Sequence, residues 1–182
     1  MAGQLVVPDT VVQGPVRLTA RPDAAAVQAE ASLNVQLPTP PTGAIDHVDL
    51  GDGASEAAHA LAASQHSGTS FEAGVTRRYT HSMYPGGWFE FDVVVPTDGP
   101  FAVRVVETFD GATLKTYDVS ADGVTVLSQS LRRTAGGQGT MTYQFVVDEP
   151  EVAADGRVRL RFQDVDGDHD PSVADVWVLP LS

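Results

Sequence analysis

The stretch Gly86-Gly87-Trp88-Phe89-Glu90-Phe91-Asp92-Val93-Val94-Val95, followed by Pro96-Thr97-Asp98-Gly99-Pro100 and Phe101-Ala102-Val103-Arg104-Val105, decides the fold class. Phe89, Phe91, Val93 and Val95 fall on alternate positions, with Trp88, Glu90 and Asp92 between them. Successive side chains of an extended chain point to opposite faces, so this spacing buries one face and leaves the other in water. Phe101, Val103 and Val105 repeat the pattern, and the Pro/Asp/Gly run between the two reads as a turn.

The same period continues outward. Tyr117 and Val119 lead through Ala121-Asp122-Gly123 to Val124 and Val126, a hairpin with Asp-Gly turn chemistry. Met141, Tyr143, Phe145 and Val147 make a further strand, and Val158, Leu160 and Phe162 another, with Arg157, Arg159 and Arg161 interleaved. Val173 to Leu179 is apolar on both faces, as a central or doubly covered strand would be. Short strands punctuated by Gly, Pro and Asp predict an all-β fold, an antiparallel β-sandwich or a barrel. One segment has helical character, Ser55 to Ala63, with Ser55 as its cap.

The first residues differ. Val16 to Thr19 and Leu33 to Leu37 alternate well enough for two strands, yet Pro38-Thr39-Pro40-Pro41-Thr42-Gly43 is linker chemistry. Residues 1–43 are therefore expected to be an arm, or the tail of a preceding domain, and residues 44–182 the sandwich.

Composition narrows the function. The 182 residues carry 11 Lys and Arg against 24 Asp and Glu, a formal net charge of -13. Phosphate is bound through basic charge, so neither nucleic acid nor an anionic membrane is an expected partner. Cysteine is absent, which removes thiolate metal sites, thiol catalysis and disulfides together. No apolar run is long enough to span a bilayer, and Met1-Ala2-Gly3-Gln4 lacks the basic start of a signal peptide. Export would rely on a signal outside this chain. Gly-x-Gly-x-x-Gly, phosphate-loop and His-Glu-x-x-His motifs are all missing, and Gly53-Ala54-Ser55-Glu56-Ala57 lacks the final Gly of a nucleophile elbow. No catalytic constellation stands out, and the chain is not expected to be an enzyme.

Three groups of residues invite a binding role. Trp88 alternates away from Phe89 and Phe91, so an outward indole beside carboxylates would offer a flat apolar face to a sugar ring while polar neighbours bond its hydroxyls. A covered Trp88, packed under the arm or the preceding loop, is the competing reading. Arg78, Tyr79, His81 and Tyr84 share the polar-aromatic stretch Arg77 to Gly87, read as one open loop, and complete the candidate carbohydrate site. The run Asp164-Val165-Asp166-Gly167-Asp168-His169-Asp170 sets carboxylates on alternate residues, which suits either a calcium ion or a solvated acidic turn. His169 occupies the sixth position where an EF-hand needs Gly, so that loop is excluded. Arg157, Arg159 and Arg161 read as a solvated face paired with carboxylates in preference to a grip on an acidic sugar.

Four segments resemble one module: Gly51-Asp52-Gly53-Ala54-Ser55-Glu56-Ala57-Ala58-His59, Gly86 to Val93, Tyr117 to Gly123, and Asp175-Val176-Trp177-Val178. They are similar to a galactose-binding-like β-sandwich, in particular the C-terminal accessory domain of bacterial β-L-arabinofuranosidase-type glycoside hydrolases. The resemblance implies a jelly roll of eight or nine strands without catalytic residues. It also implies a structural Ca2+ held by an early Glu and an Asp of the last strand, here Glu56 and Asp175, alongside the Asp164, Asp166 and Asp168 run. The implied function is a secreted accessory module of a larger glycoside hydrolase that docks a polysaccharide or oligosaccharide containing arabinose or galactose. The alternative is a structural domain that packs on the catalytic domain and orients it without binding sugar.

Overall fold

The computed structural model describes residues 15–20, 29–34, 40–149, 152, 156–166 and 170–181. The chain divides into two compact units, residues 1–38 and 39–182. In the first, β1 (Pro15–Ala20) pairs antiparallel with β2 (Ala29–Asn34). The expected strand Leu33 to Leu37 overlaps the end of β2, and Val35 to Leu37 lie outside the described residues.

The second unit runs β3 (Asp46–Asp49), α1 (Gly53–Ala58), β4 (Ala62–Ala63), β5 (Ser67–Glu72), β6 (Val75–Thr80), β7 (Trp88–Val94), β8 (Phe101–Phe109), β9 (Leu114–Ala121), β10 (Val124–Arg132), β11 (Gly139–Val147), β12 (Arg157–Asp164) and β13 (Ser172–Pro180). Two antiparallel sheets form, one of five strands ordered β10-β9-β12-β7-β4 and one of six, β11-β8-β13-β6-β5 with β3 also on β13. The fold is thus the β-sandwich the alternation predicts, with eleven strands among the described residues of this unit. The excess over eight or nine includes β3 and β4, of four and two residues, too short to show a period. Asp122 and Gly123 both take positive φ, 49° and 84°, as the Asp-Gly turn between β9 and β10 requires.

The core is built from the inward positions. Phe89, Phe91 and Phe162 are wholly buried, Phe162 faces Phe89 across the β7–β12 pair, and their ring centroids lie 5.4 Å apart. Tyr117 of β9 adds a fourth ring at 6.0 Å from Phe162. Between the sheets sits a polar exception. Glu107 of β8 is fully buried, accepting from the Tyr117 hydroxyl and from the Ser172 amide, each at 2.6 Å. Tyr143 of β11 extends the network, its hydroxyl 2.6 Å from that of Tyr117. Satisfied in this way, a buried carboxyl ties β8 to β9 across the interior.

The helix is shorter than the sequence suggests and is capped differently. Asp52, not Ser55, is the cap, accepting from the Ser55 amide at 2.7 Å. The Ser55 hydroxyl instead accepts from the Asp49 amide at 2.9 Å. Ala60, with φ of 49°, breaks the helical path, and Ala62–Ala63 enters the five-stranded sheet. The supposed loop Arg77 to Gly87 is also corrected, because its first four residues belong to β6. β6 pairs with β13 only at Ser172 and Val173, since β3 takes the next positions. The β5–β6 hairpin therefore departs from the sheet edge. Its Val75 closes a second apolar cluster with Val106, Ala174 and Trp177 on the outer face, and the Ala73 amide reaches the Gln138 side chain at 3.2 Å.

Burial pushes the Glu107 carboxyl up from 4.5 to about 7, against the opposing pull of Lys115 and of the Tyr117 and Ser172 hydrogen bonds. A carboxyl that keeps its proton longer when folded contributes stability in full below about pH 4.5 and loses it as the pH rises through about 7, a term on the order of 3 kcal/mol. Asp49, raised to about 6 by burial and then by Asp175, adds a smaller slope of the same sign. The melting temperature is expected to fall across this window, and Glu107→Gln, which cannot ionise, to flatten the fall. An identical pH slope in wild type and variant would contradict the assignment.

Candidate functional site

The parity of β7 places Trp88 outward. Phe89 faces the core, so Trp88, Glu90 and Asp92 share the outer face of the five-stranded sheet and are partly exposed. Ser64, just past β4, clamps the Trp88 backbone: its hydroxyl accepts from the Trp88 amide at 3.1 Å, and its amide donates to the Trp88 carbonyl at 2.9 Å. The neighbouring strand β12 supplies Arg159, Arg161 and Gln163 to the same face, opposite Asp92, Glu90 and Trp88.

These side chains form one connected row. Arg159 donates through Nε to Glu90 at 2.9 Å and through Nη1 to Asp92 at 2.6 Å. Burial disfavours the Arg159 charge, but the hydrogen bonds it donates to Glu90 and Asp92 outweigh this and raise its pKa. Arg161 donates through Nη1 to Glu90 at 3.4 Å and through Nε to Gln163 at 3.1 Å, and lays its guanidinium 4.2 Å from the centroid of the Trp88 rings. Arg159 and Arg161 of the arginine stripe thus pair with carboxylates, and Arg161 adds a cation–π contact the sequence does not announce.

The other aromatic candidates gather beside it. Tyr84 stacks on His66 at 4.4 Å with 14° between the rings, and His81 meets both Tyr79 and Tyr84 edge-on at 5.4 and 6.1 Å. Tyr84 is exposed, and so is Met83 next to it. The loop that carries them is pinned to the end of β12, with Gly86 donating to the Asp164 carbonyl at 3.2 Å and Asp164 donating to the Gly87 carbonyl at 2.9 Å. Gly87, just before Trp88, is packed closely: a Cβ there would stand 3.0 Å from Thr80 Cβ and 3.6 Å from His66 Cβ. His66 is the member that sequence reading misses, for it lies 18 positions from Tyr84 with no motif around it.

Arg78 and the metal candidates go elsewhere. Arg78 grips Glu56 of α1 with both prongs of its fork, Nε to Oε1 at 2.8 Å and Nη2 to Oε2 at 2.6 Å, and the Gly51 amide adds a third donor at 2.9 Å. Asp175 accepts from His47 at 2.8 Å, and His47 in turn stacks on Trp177 at 4.9 Å. With both Glu56 oxygens already holding donors, a calcium ion shared by Glu56 and Asp175 does not fit this arrangement. Asp164 is fully buried and accepts from the Asp166 amide at 3.2 Å, while Asp168 lies outside the described residues. Among the described residues, no three His, Asp or Glu side chains converge as a metal site requires. Nor is any described helix long and apolar enough to cross a membrane.

Comparison with known proteins agrees with this architecture. No family model matches the chain, and no curated protein does. Among solved structures, it is similar to a family 35 carbohydrate-binding module from Clostridium thermocellum at 13% identity and TM-score 0.52, covering 75% of this chain and 99% of that one. A family 35 module from Paenibacillus barcinonensis gives 14% and 0.53, over 75% and 99% of the two chains. A family 36 module described in complex with calcium and xylotriose gives 14% and 0.50, over 74% and 99%. An exo-β-1,3-galactanase from Phanerochaete chrysosporium matches over 81% of this chain and only 32% of its own, at 14% and 0.50. At such identities the likeness establishes a shared sandwich fold.

The Glu56–Arg78 pair is largely enclosed, each side chain 12% exposed. Removing one partner of an enclosed pair strands the other charge and costs roughly 3 kcal/mol or more. Arg78→Met is therefore expected to lower the melting temperature, and added calcium not to restore it. Full recovery in calcium would contradict the pairing described here.

Proposed function

We propose that residues 39–182 form a non-catalytic glycan-binding module, belonging to a secreted glycoside hydrolase and tethering it to an arabinose- or galactose-containing polysaccharide. The observation that carries this reading is that Trp88 stands partly exposed on the outer sheet face, while the exposed Tyr84, stacked on His66, lies on the loop that leads into the same strand. Aromatic faces covering sugar C–H groups, with Glu90, Gln163 and Arg161 at hand for hydroxyls, are the chemistry a glycan needs. The sandwich likeness to carbohydrate-binding modules supports it. Tyr79 and His81 act as the wall behind Tyr84, and Arg78 holds the helix in place without reaching sugar.

Calorimetry against arabinan, arabinogalactan, xylotriose and β-1,3-galactotriose tests the proposal. Affinity should be micromolar to millimolar, because a small, partly wet contact leaves little surplus over the ordering it demands. Trp88→Ala should abolish binding and Tyr84→Ala weaken it, with melting temperatures close to wild type. Binding that survives both substitutions, or no binding to any of the four, would overturn the proposal.

A further inference from the structure

Resting on that reading, we propose that Arg161 is a glycan-contacting and specificity-determining residue, and that the ligand it selects is a glycan whose internal sugars keep two adjacent free hydroxyls. Trp88 does not offer a bare indole. The Arg161 guanidinium lies over it at 4.2 Å, so the surface presented beside the ring is the edge of a planar cation. Stacking occupies the face of a guanidinium, and its N–H donors lie in the plane, so the edge remains available for hydrogen bonds.

Three contacts fix that edge. The indole supports one face, Glu90 takes Nη1 at 3.4 Å, and Gln163 takes Nε at 3.1 Å. Glu90 is itself held by Arg159, which Asp92 steadies in turn. No hydrogen bond within the described residues uses Nη2, and the Arg161 side chain is 32% exposed at the end of this row. A donor fork held before a ligand arrives spends little on ordering and suits a pair of acceptor oxygens set side by side. Neighbouring sugar hydroxyls provide that pair. A lysine at the same position would keep the charge and lose both the plane that stacks and the fork that donates.

Calorimetry with the full chain separates the possibilities. Arabinan keeps adjacent free hydroxyls along its backbone, whereas the linkage of a long β-1,3-galactan occupies the middle hydroxyl of each internal sugar. Wild type should bind arabinan and show at least roughly tenfold weaker binding both to the galactan and to arabinan whose diols have been cleaved by periodate, as expected on losing charge-assisted hydrogen bonds. Arg161→Lys should lose a similar factor on intact arabinan and show none of the wild-type preference over the cleaved polymer. Equal affinity for cleaved and intact arabinan, preference for the galactan, or an unaffected Arg161→Lys would each overturn the inference while leaving a glycan-binding role standing. A wild-type chain that binds neither these polymers nor the earlier oligosaccharides would overturn both. The melting temperature of Arg161→Lys, expected close to that of wild type because the residue lies on the outer sheet face, shows that its loss of binding is one of recognition and not of folding.

Discussion

The structure depends on a single parity. Phe89 and Phe162 face each other across β7 and β12 and are wholly withdrawn from water, and their neighbours in each strand are thereby committed to the opposite face. Fully burying an aromatic ring is worth roughly 2 to 3 kcal/mol, so slipping either strand by one residue would forfeit several such terms at once. Trp88, Glu90, Asp92, Arg159, Arg161 and Gln163 stand outward because Phe89, Phe91, Leu160 and Phe162 cannot.

That constraint also decides how an acidic chain arranges its charge on this face. The net charge of -13 is spread over a molecule in which Arg77, Arg78, Arg159 and Arg161 each sit against specific carboxylates. Arg159 and Arg161 balance Glu90 and Asp92 on one face, and Arg78 balances Glu56 at the helix. The pairing leaves the face near Trp88 close to neutral, as the proposed glycan site requires. A second polar device works inside. The Glu107, Tyr117 and Tyr143 network links strands of both sheets through hydrogen bonds, so the interior is held by directional contacts as well as by packing. Burial raises both tyrosine pKa values well above their ordinary range and keeps those hydroxyls as neutral donors.

Much of this was legible before any coordinates. The long strands show their period openly, and the doubly apolar run Val173 to Leu179 does become a strand buried on both faces, flanked by β8 on one side and by β3 and β6 on the other. What failed is equally physical. β5 is Ser-Gly-Thr-Ser-Phe-Glu, with too few apolar residues to show a period, and only the Ala73-Gly74 turn hints at a hairpin. Asp52 outcompetes Ser55 for the helix start because its carboxylate lies within reach of the Ser55 amide. The aromatic stretch was visible as a composition, yet its division could not be read. Tyr79, His81 and Tyr84 gather with His66, whereas Trp88 joins Arg161 and Arg78 joins Glu56. Those partners come from a helix, a turn and a strand elsewhere in the chain, and local spacing carries no record of them.

The sequence contains two tryptophans, and they occupy opposite circumstances: Trp88 is partly exposed on one sheet, while Trp177 is 2% exposed, packed with Val75, and its indole N–H has no acceptor among the described residues. Nitrogen-resolved NMR of the two indole N–H resonances, assigned with Trp88→Phe and followed through an arabinan titration, reads the central claim most directly. The Trp88 resonance is expected to move progressively and saturate while that of Trp177 stays in place. A stationary Trp88 resonance, or movement confined to Trp177, would contradict the account.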